Sequence, residues 1–448
     1  MLSQAGNAPS MKADPLHNCE ILIFVYNKVA ERALQTAHPF KEDMPVISPG
    51  ISEKKYCTLC ASSDWTVSRN RQGREWIRNM KAWLVLLLSL FALAGCASAE
   101  SFLVISDTHM RADTDAFDAA YAAILENAKS GDVCVLLGDS TDNGRMEEHV
   151  LVLERLHRLQ EETGVQVFAI PGNHDYNAHF TKDTFREMYG AYGSQQAFSR
   201  DKASASCAVM TQAGTCILLL DTNRLDVQDQ VLPDGGIHEE TLAWIRQVLQ
   251  ELPENVPVIA CGHHPILPSE RDARTPGARK LSELLSAYGV TLYLCGHDHG
   301  FATVDFSGLR QITVGQPQAF PGFAGRIRRD DSGFHWTEEA LYDLSSDTFR
   351  KMQSDTEALS ISMAEGTLAP TQYAGDEGAI NWFSRAFMLH VSGQLTPEYA
   401  KALLKDDNCR KWREVEVRTV VKKWILSLLE DCPEDMHVLE IPLRRFEK

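Results

Sequence analysis

The chain has 448 residues, room for two or three domains, with 44% hydrophobic and 23% charged residues, which is ordinary for a globular protein. Its net charge of −17 argues against the phosphate backbone of nucleic acid as a general partner. The charge is uneven: residues 1–79 hold 10 Lys+Arg against 8 Asp+Glu, so the acidic excess lies in the remainder.

Residues 1–79 give a poor folding signal, with one short apolar run, ILIFVYN, and scattered Pro, Gly and Ser. The pair Cys57 and Cys60 in CTLC has no second ligand pair nearby to complete a zinc site. This segment is expected to lie upstream of a biological start at Met80. The alternative is a long cytoplasmic leader anchored by Ala82–Gly95. From Met80 the sequence MKAWLVLLLSLFALAGC places Lys81 before a run of mostly apolar residues. That run is short for a membrane span of about 20 residues and fits the core of a secretory signal. Residues 80–99 are therefore read as an export signal. LAGC, Leu93–Cys96, resembles a bacterial lipobox with Cys96 as the lipid acceptor, while ASA at Ala97–Ala99 suits ordinary cleavage. Either route exports the body, as a membrane-anchored lipoprotein or in free form, into an oxidising space.

From Phe102 strands and helices alternate, which predicts an α/β domain over residues 100–345. FLVIS, VCVLLGD, VQVFAIPGNHD, CILLLDTN, VPVIACGHHP and VTLYLCGHDHG read as buried strands. Asp115–Lys129 reads as a helix with Phe117, Tyr121, Ile124 and Leu125 on one face. Met146–Glu162 reads as a second, carrying Val150, Leu153, Leu156 and Leu159. GGIHEETLAWIRQVLQEL reads as a turn and an amphipathic helix that turns Leu242, Ile245, Val248 and Leu249 inward. After Gly300, FATVDF and LRQITVG are short alternating strands suited to a second sheet. The loop GQPQAFPGFAG, Gly315–Gly325, either walls a site or lies on the surface.

Residues 346–448 form a candidate helical module. MAEGTLAPTQYAGDEGA reads as a linker. INWFSRAFMLHV and TPEYAKALLK read as helices, the second with Thr396 as N-cap and Pro397 at the first position. Cys409–Leu429 reads as one longer helix. Cys134, Cys261 and Cys295 are expected in the core, and Cys207 and Cys216 are placed to face each other across a hairpin.

Polar residues recur at one place in this pattern, just after apolar strands. They are Asp107 and His109, Asp139, Asn173 and His174, His263 and His264, and His297 and His299. Singly, an Asp there is a turn former or N-cap and a His is a surface residue. Five strands ending this way place a site beyond the carboxyl ends of the strands, where open α/β sheets bind ligands. Carboxylates, imidazoles and an amide without thiolates suit Mn, Fe, Zn or Ni better than Ca or Mg. The donors suffice for two metals, with a carboxylate such as Asp139 bridging. Such a pair activates a water and clamps the oxygens of an in-line displacement, which suits phosphate esters.

The motifs DTH, GDSTDNG, GNHD, HHP and GHDH, in that order from about Phe102 to Val314, resemble those of the calcineurin-like metallophosphoesterases. The resemblance implies a four-layer double β-sandwich flanked by helices, with a dinuclear metal centre. It implies Asp107, His109 and His299 on one metal, Asn173, His263 and His297 on the other, and Asp139 between them. His174 resembles the family's phosphate-contacting His that protonates the leaving oxygen, and Asp175 is expected to orient it. His264 is a candidate substrate contact, and Asp142 a loop-shaping residue. In the purple acid phosphatases of this family a Tyr stands where Asp142 stands and the first motif lacks His109. The chain therefore resembles more the divalent-metal branch, with its class III cyclic-nucleotide phosphodiesterases. The expected function is hydrolysis of small phosphate mono- or diesters by a metal-bridging hydroxide. A catalytically silent surface lipoprotein that binds a phosphorylated ligand, or a nuclease, are the alternatives. The sequence sets neither the oligomeric state nor the metal.

Overall fold

The apolar runs become strands in a computed structural model that describes residues 100–112, 116–226, 228, 230–267, 275–416, 420–430, 432 and 438–442. The leader, the export signal and Cys96 lie outside the described residues. The first half runs β1 (Glu100–Ile105), α1 (Ala116–Asn127), β2 (Val133–Leu136), α2 (Met146–Thr163), β3 (Gln166–Ala169), a 3₁₀ turn at Asn173–Asp175 and α3 (Lys182–Met188). Then come β4 (Ser199–Arg200), β5 (Cys207–Met210), β6 (Cys216–Leu220), α4 (Glu239–Glu251), β7 (Val258–Gly262), α5 (Ala278–Ala287) and β8 (Leu292–Cys295). Four strands close the sandwich: β9 (Ala302–Phe306), β10 (Leu309–Thr313), β11 (Phe323–Arg329) and β12 (Gly333–Ala340).

These strands form two mixed sheets. The first has the order β12-β11-β1-β2-β3, with β1, β2 and β3 parallel and β11 antiparallel to β1. The second has the order β4-β5-β6-β7-β8-β10-β9, with β6, β7, β8 and β10 parallel. Alternate residues of each strand face opposite ways. Phe102, Val104, Val135 and Phe168 of the first sheet therefore meet Ile217, Leu219, Ile259 and Leu294 of the second in one core, joined by Trp336 and Ile327. The other face of the first sheet, with Leu103, Ile105, Leu136 and Val167, is covered by Phe117, Tyr121, Ile124, Leu156 and Leu159 of the helices. Leu242, Ile245, Val248 and Leu249 of α4 are buried as expected. The layers are helices, sheet, sheet, helices, the α/β double sandwich expected from the sequence.

Details differ. Helix α2 buries Val152 and leaves Val150 42% exposed, so its inner face is rotated from the expected one. It stops where Gly164 adopts φ 73° and donates to the Gln160 carbonyl, the left-handed cap that glycine allows. Cys207 pairs with Leu219, and Cys216 with Met210, so the two cysteines are out of register across the hairpin. The seven described cysteines are thiols, and Cys134, Cys261 and Cys295 are buried.

The helical module contains α6 (Asp347–Leu368), α7 (Glu377–Val391), α8 (Pro397–Lys405), α9 (Asp407–Glu414) and α10 (Val420–Glu430). The expected linker is partly helix: α6 runs through Ala364, Thr367 and Leu368, whose burial against the module holds Gly366 in a helical turn. The expected long helix is two, because Val415 is buried in an extended conformation at the end of α9. Trp382, Phe383, Trp412 and Ile425 centre the module's own core. The chain then returns as β13 (Val438–Pro442), antiparallel to β12, so the region 346–448 is not wholly helical. Among the described residues no helix is long and apolar enough to cross a membrane.

Trp336 is 1% exposed between the sheets, and a side chain at Gly325 would collide with its ring. Trp336→Ala is expected to lower the unfolding free energy by roughly 3–5 kcal/mol, read from urea denaturation.

Candidate metal centre

The predicted residues sit on loops leaving β1, β2 and β3 of one sheet and β7 and β8 of the other, so the site spans the ends of both sheets. Neighbouring loops are tied by backbone bonds: His109 N–H donates to the Asp139 carbonyl (2.9 Å) and Gly296 N–H to the His263 carbonyl (3.0 Å). Asp107, His109, Asp139, His297 and His299 all have positive φ, between 41° and 72°. Non-glycine residues rarely adopt this conformation, and it persists only where the surroundings enforce it. The glycines of the motifs have a steric cause. A Cβ on Gly172 would strike the Asp139 carboxylate, and one on Gly296 would strike Asp107.

Asp139 is 2% exposed and lies at the centre. Its Oδ1 accepts the His174 backbone N–H at 2.7 Å, and its Oδ2 is 3.1 Å from His263 Nε2 and 3.8 Å from His109 Nε2. On one side, His299 Nε2 is 3.1 Å from His109 Nε2 and 3.4 Å from Asp107 Oδ1. Two imidazole nitrogens that close share at most one proton, so a lone pair faces the pocket. On the other side, His297 Nδ1 is 3.0 Å from Asn173 Oδ1. His263 donates Nδ1–H to the Leu137 carbonyl at 2.8 Å, leaving its buried Nε2 without a hydrogen-bond partner. Asp107, His109, Asp139 and His299 offer ligand atoms within 4.8 Å of one another, and so do His263, His264 and His297. Buried carboxylates and imidazoles that converge at this spacing are the donor set a bound cation needs.

Charge couples these groups. Burial raises the Asp139 carboxyl, but the charge of His263 more than offsets it and holds the group well below the usual range. Burial lowers His263, but Asp139 draws it up to about 9. Burial raises Asp107, and His299 brings it below its ordinary value. His297 has no comparable partner, so burial, followed by His263, pushes it down to about 4.

Three expectations change. Asp175 does not orient the His174 ring. It is 1% exposed, and its carboxylate folds back to accept Gly172 N–H (2.8 Å), Ser140 N–H (3.2 Å), Thr141 N–H (2.8 Å) and the Thr141 hydroxyl (3.0 Å). Its place as third residue of the 3₁₀ turn aims it there, and the His174 ring donates Nδ1–H to the Asp142 carbonyl at 2.7 Å instead. His264 is not open to substrate. It is 1% exposed, with Nε2–H on the Pro233 carbonyl (3.0 Å) and Nδ1 against the Thr222 hydroxyl (2.8 Å). Burial, then His297, keeps it far below the ordinary imidazole value, so it is a neutral structural residue. Asp142 shapes the loop and does more: its Oδ1 lies 3.3 Å from His109 Nδ1 on the side away from the pocket nitrogen. The His109 contact lowers its carboxyl. Gln318, in the Gly- and Pro-rich loop, donates Nε2–H to the Asp107 carbonyl at 2.8 Å. Only the loop's composition hinted at this placement.

Residues 101–301 match the family model for calcineurin-like phosphoesterase. Over that stretch the chain is similar to the calcineurin-like phosphoesterases. The chain is 29% identical over 228 residues to a protein from Arcobacter nitrofigilis described as a probable glycerophosphodiester phosphodiesterase, covering 48% of this chain and 77% of that one. It is 24% identical over 293 residues to tartrate-resistant acid phosphatase type 5 of Rattus norvegicus, covering 58% and 88%. The match to the phosphopantetheinyl hydrolase structure from Mycobacterium tuberculosis covers 50% of this chain and 92% of that one, at 15% identity and a TM-score of 0.33.

Within the phosphoesterase domain the two neighbours His174 and Asp175 have opposite burdens. Asp175→Ala orphans four donors and is expected to cost at least about 3 kcal/mol of stability. His174→Ala, at an exposed position, is expected to cost under about 1 kcal/mol. Urea denaturation of the metal-free protein compares them, and equal losses would contradict this division.

Proposed function

We propose that the phosphoesterase domain holds two divalent cations and hydrolyses small phosphate mono- or diesters. The observation that supports it is the pair of nitrogen-bearing donor groups, one holding His109 and the other His263, that meet at Oδ2 of Asp139. Asp107, His109 and His299 would hold one cation, Asn173, His263 and His297 the other, with Asp139 shared. When bound, the cations supply Lewis-acid activation of a water and neutralise charge on the ester oxygens. Mn, Fe, Zn and Ni all suit this donor set.

The chain's own residues do the rest. The Leu137 carbonyl accepts from His263 Nδ1 and turns Nε2 toward Asp139, and Asp142 sits on the outer nitrogen of His109. The His174 ring lies 4.8 Å from that of His109, centroid to centroid. With Nδ1–H committed to the Asp142 carbonyl, the protonated ring would carry its second proton on Nε2 and would hand that one to the leaving oxygen. His109, placed in the pocket, favours the divalent-metal branch over the purple acid phosphatases. The net charge of −17 favours small esters over polyanions and weighs against a nuclease. The glycerophosphodiester phosphodiesterase and acid phosphatase relatives leave both diesters and monoesters in play.

Chelator-stripped protein is expected to lose hydrolysis of aryl phosphate esters and to regain it with Mn²⁺. His174→Ala should lower kcat about 10²- to 10⁴-fold with metal uptake intact. A stripped and reloaded protein that binds phosphate without turnover would instead make the chain a binder of phosphorylated ligands.

We read residues 80–99 as an export signal that delivers the domain outside the cytoplasm, on the strength of Lys81, the apolar run and LAGC. The mature N-terminus is expected at lipidated Cys96, which intact-mass measurement checks. A mature protein beginning at Glu100 gives free secretion, and peptides from residues 1–79 would contradict the reading.

A further inference from the structure

The helical module reaches the metal centre through two loops. Buried His390, near the end of α7, places Nε2 2.7 Å from the carbonyl of Asp298, the residue between His297 and His299. A carbonyl only accepts, so this nitrogen carries the proton and donates. The fit is close. A Cβ on Gly300 would come within 2.7 Å of both the His390 ring and the His390 carbonyl. Behind it, the His390 ring stands edge-on to Trp424 of α10, with centroids 5.4 Å apart. The second contact is the loop that carries Gln318. Phe320 N–H donates to the Thr356 hydroxyl of α6 at 3.2 Å, and the Phe320 ring packs on Phe349 at 5.5 Å.

His297 and His299 hold φ of 72° and 59°, a conformation that needs external restraint. We propose that His390 is a positioning residue for the metal centre: its Nε2–H fixes the Asp298 carbonyl and so sets the directions of His297 and His299. This rests on the two-metal reading above. The module is then a buttress for the chemistry as well as a separately packed unit. His390 lies beyond residues 101–301, the stretch that matches the family model.

The test is calorimetric titration of the chelator-stripped full chain with Mn²⁺. His390→Leu removes the donor and is expected to weaken binding about 10- to 100-fold, as loss of a ligand-orienting partner does. His390→Gln keeps an N–H at the same reach and should stay within about threefold of wild type. Leu403→Ala, in the module core and away from both loops, controls for loss of stability, with unfolding midpoints measured for all variants. If His390→Leu does not fold, His390→Phe, a flat ring without a donor, replaces it under the same thresholds. The inference is overturned if the donor-less variant binds within about twofold of wild type. It is also overturned if Leu403→Ala weakens binding as much at a comparable midpoint. A wild type that takes up no Mn²⁺ sinks the metal reading and this inference with it, whereas normal wild-type uptake with indifferent variants removes this inference alone.

Discussion

The centre depends on the position of the Asp139 carboxylate. Two sheets end at the same place, and this one side chain is in reach of groups from both. It receives the His174 N–H from the β3 loop on one oxygen and lies against His263 from the β7 loop on the other. The carboxylate is buried, so its charge is expensive without partners. The surrounding imidazoles meet that need in the metal-free state, and a cation would meet it more completely. Gly172 has no side chain because Asp139 occupies the space one would fill. The positive-φ residues around it are tolerable for the same reason: the packed loops leave them no alternative.

Most of this was legible from residue order. Apolar runs of a few residues, each followed by Asp, Asn or His, gave the strands and the site together. The periodicity of α4 also held, because an amphipathic face is written directly in the spacing of Leu242, Ile245, Val248 and Leu249. Errors arose where contacts are long-range. Asp175 follows His174 in sequence, which suggested a ring contact, but a 3₁₀ turn rotates adjacent side chains apart and aims Asp175 into the β2 loop. His264 stands next to His263, yet its neighbours Thr222 and Pro233 come from an earlier loop that spacing cannot reveal.

The C-terminal region was harder for a related reason. Gly366 and the following Pro, Gly and Ala suggested a linker, but the preceding helix is stabilised by burial against the module, which outweighs local propensity. The break between α9 and α10 likewise comes from where Val415 is buried, not from a proline or glycine. His390 carries no motif. Its neighbours in sequence are ordinary helix residues, and only the fold brings it to Asp298.

The strand β13 gives the helical module a different standing from a tail. The chain leaves the first sheet at β12, builds five helices, and comes back to pair with β12 again. Topologically the module is a loop of the sandwich, tied at both ends. A single nick in the turn between α6 and α7 would leave each fragment still anchored, so limited proteolysis would give two chains that stay associated. Removing residues 438–442 would strip a sheet edge while every helix of the module stayed in the chain. Shortened forms of this protein should therefore be cut at paired positions, after β12 and before β13, and rejoined.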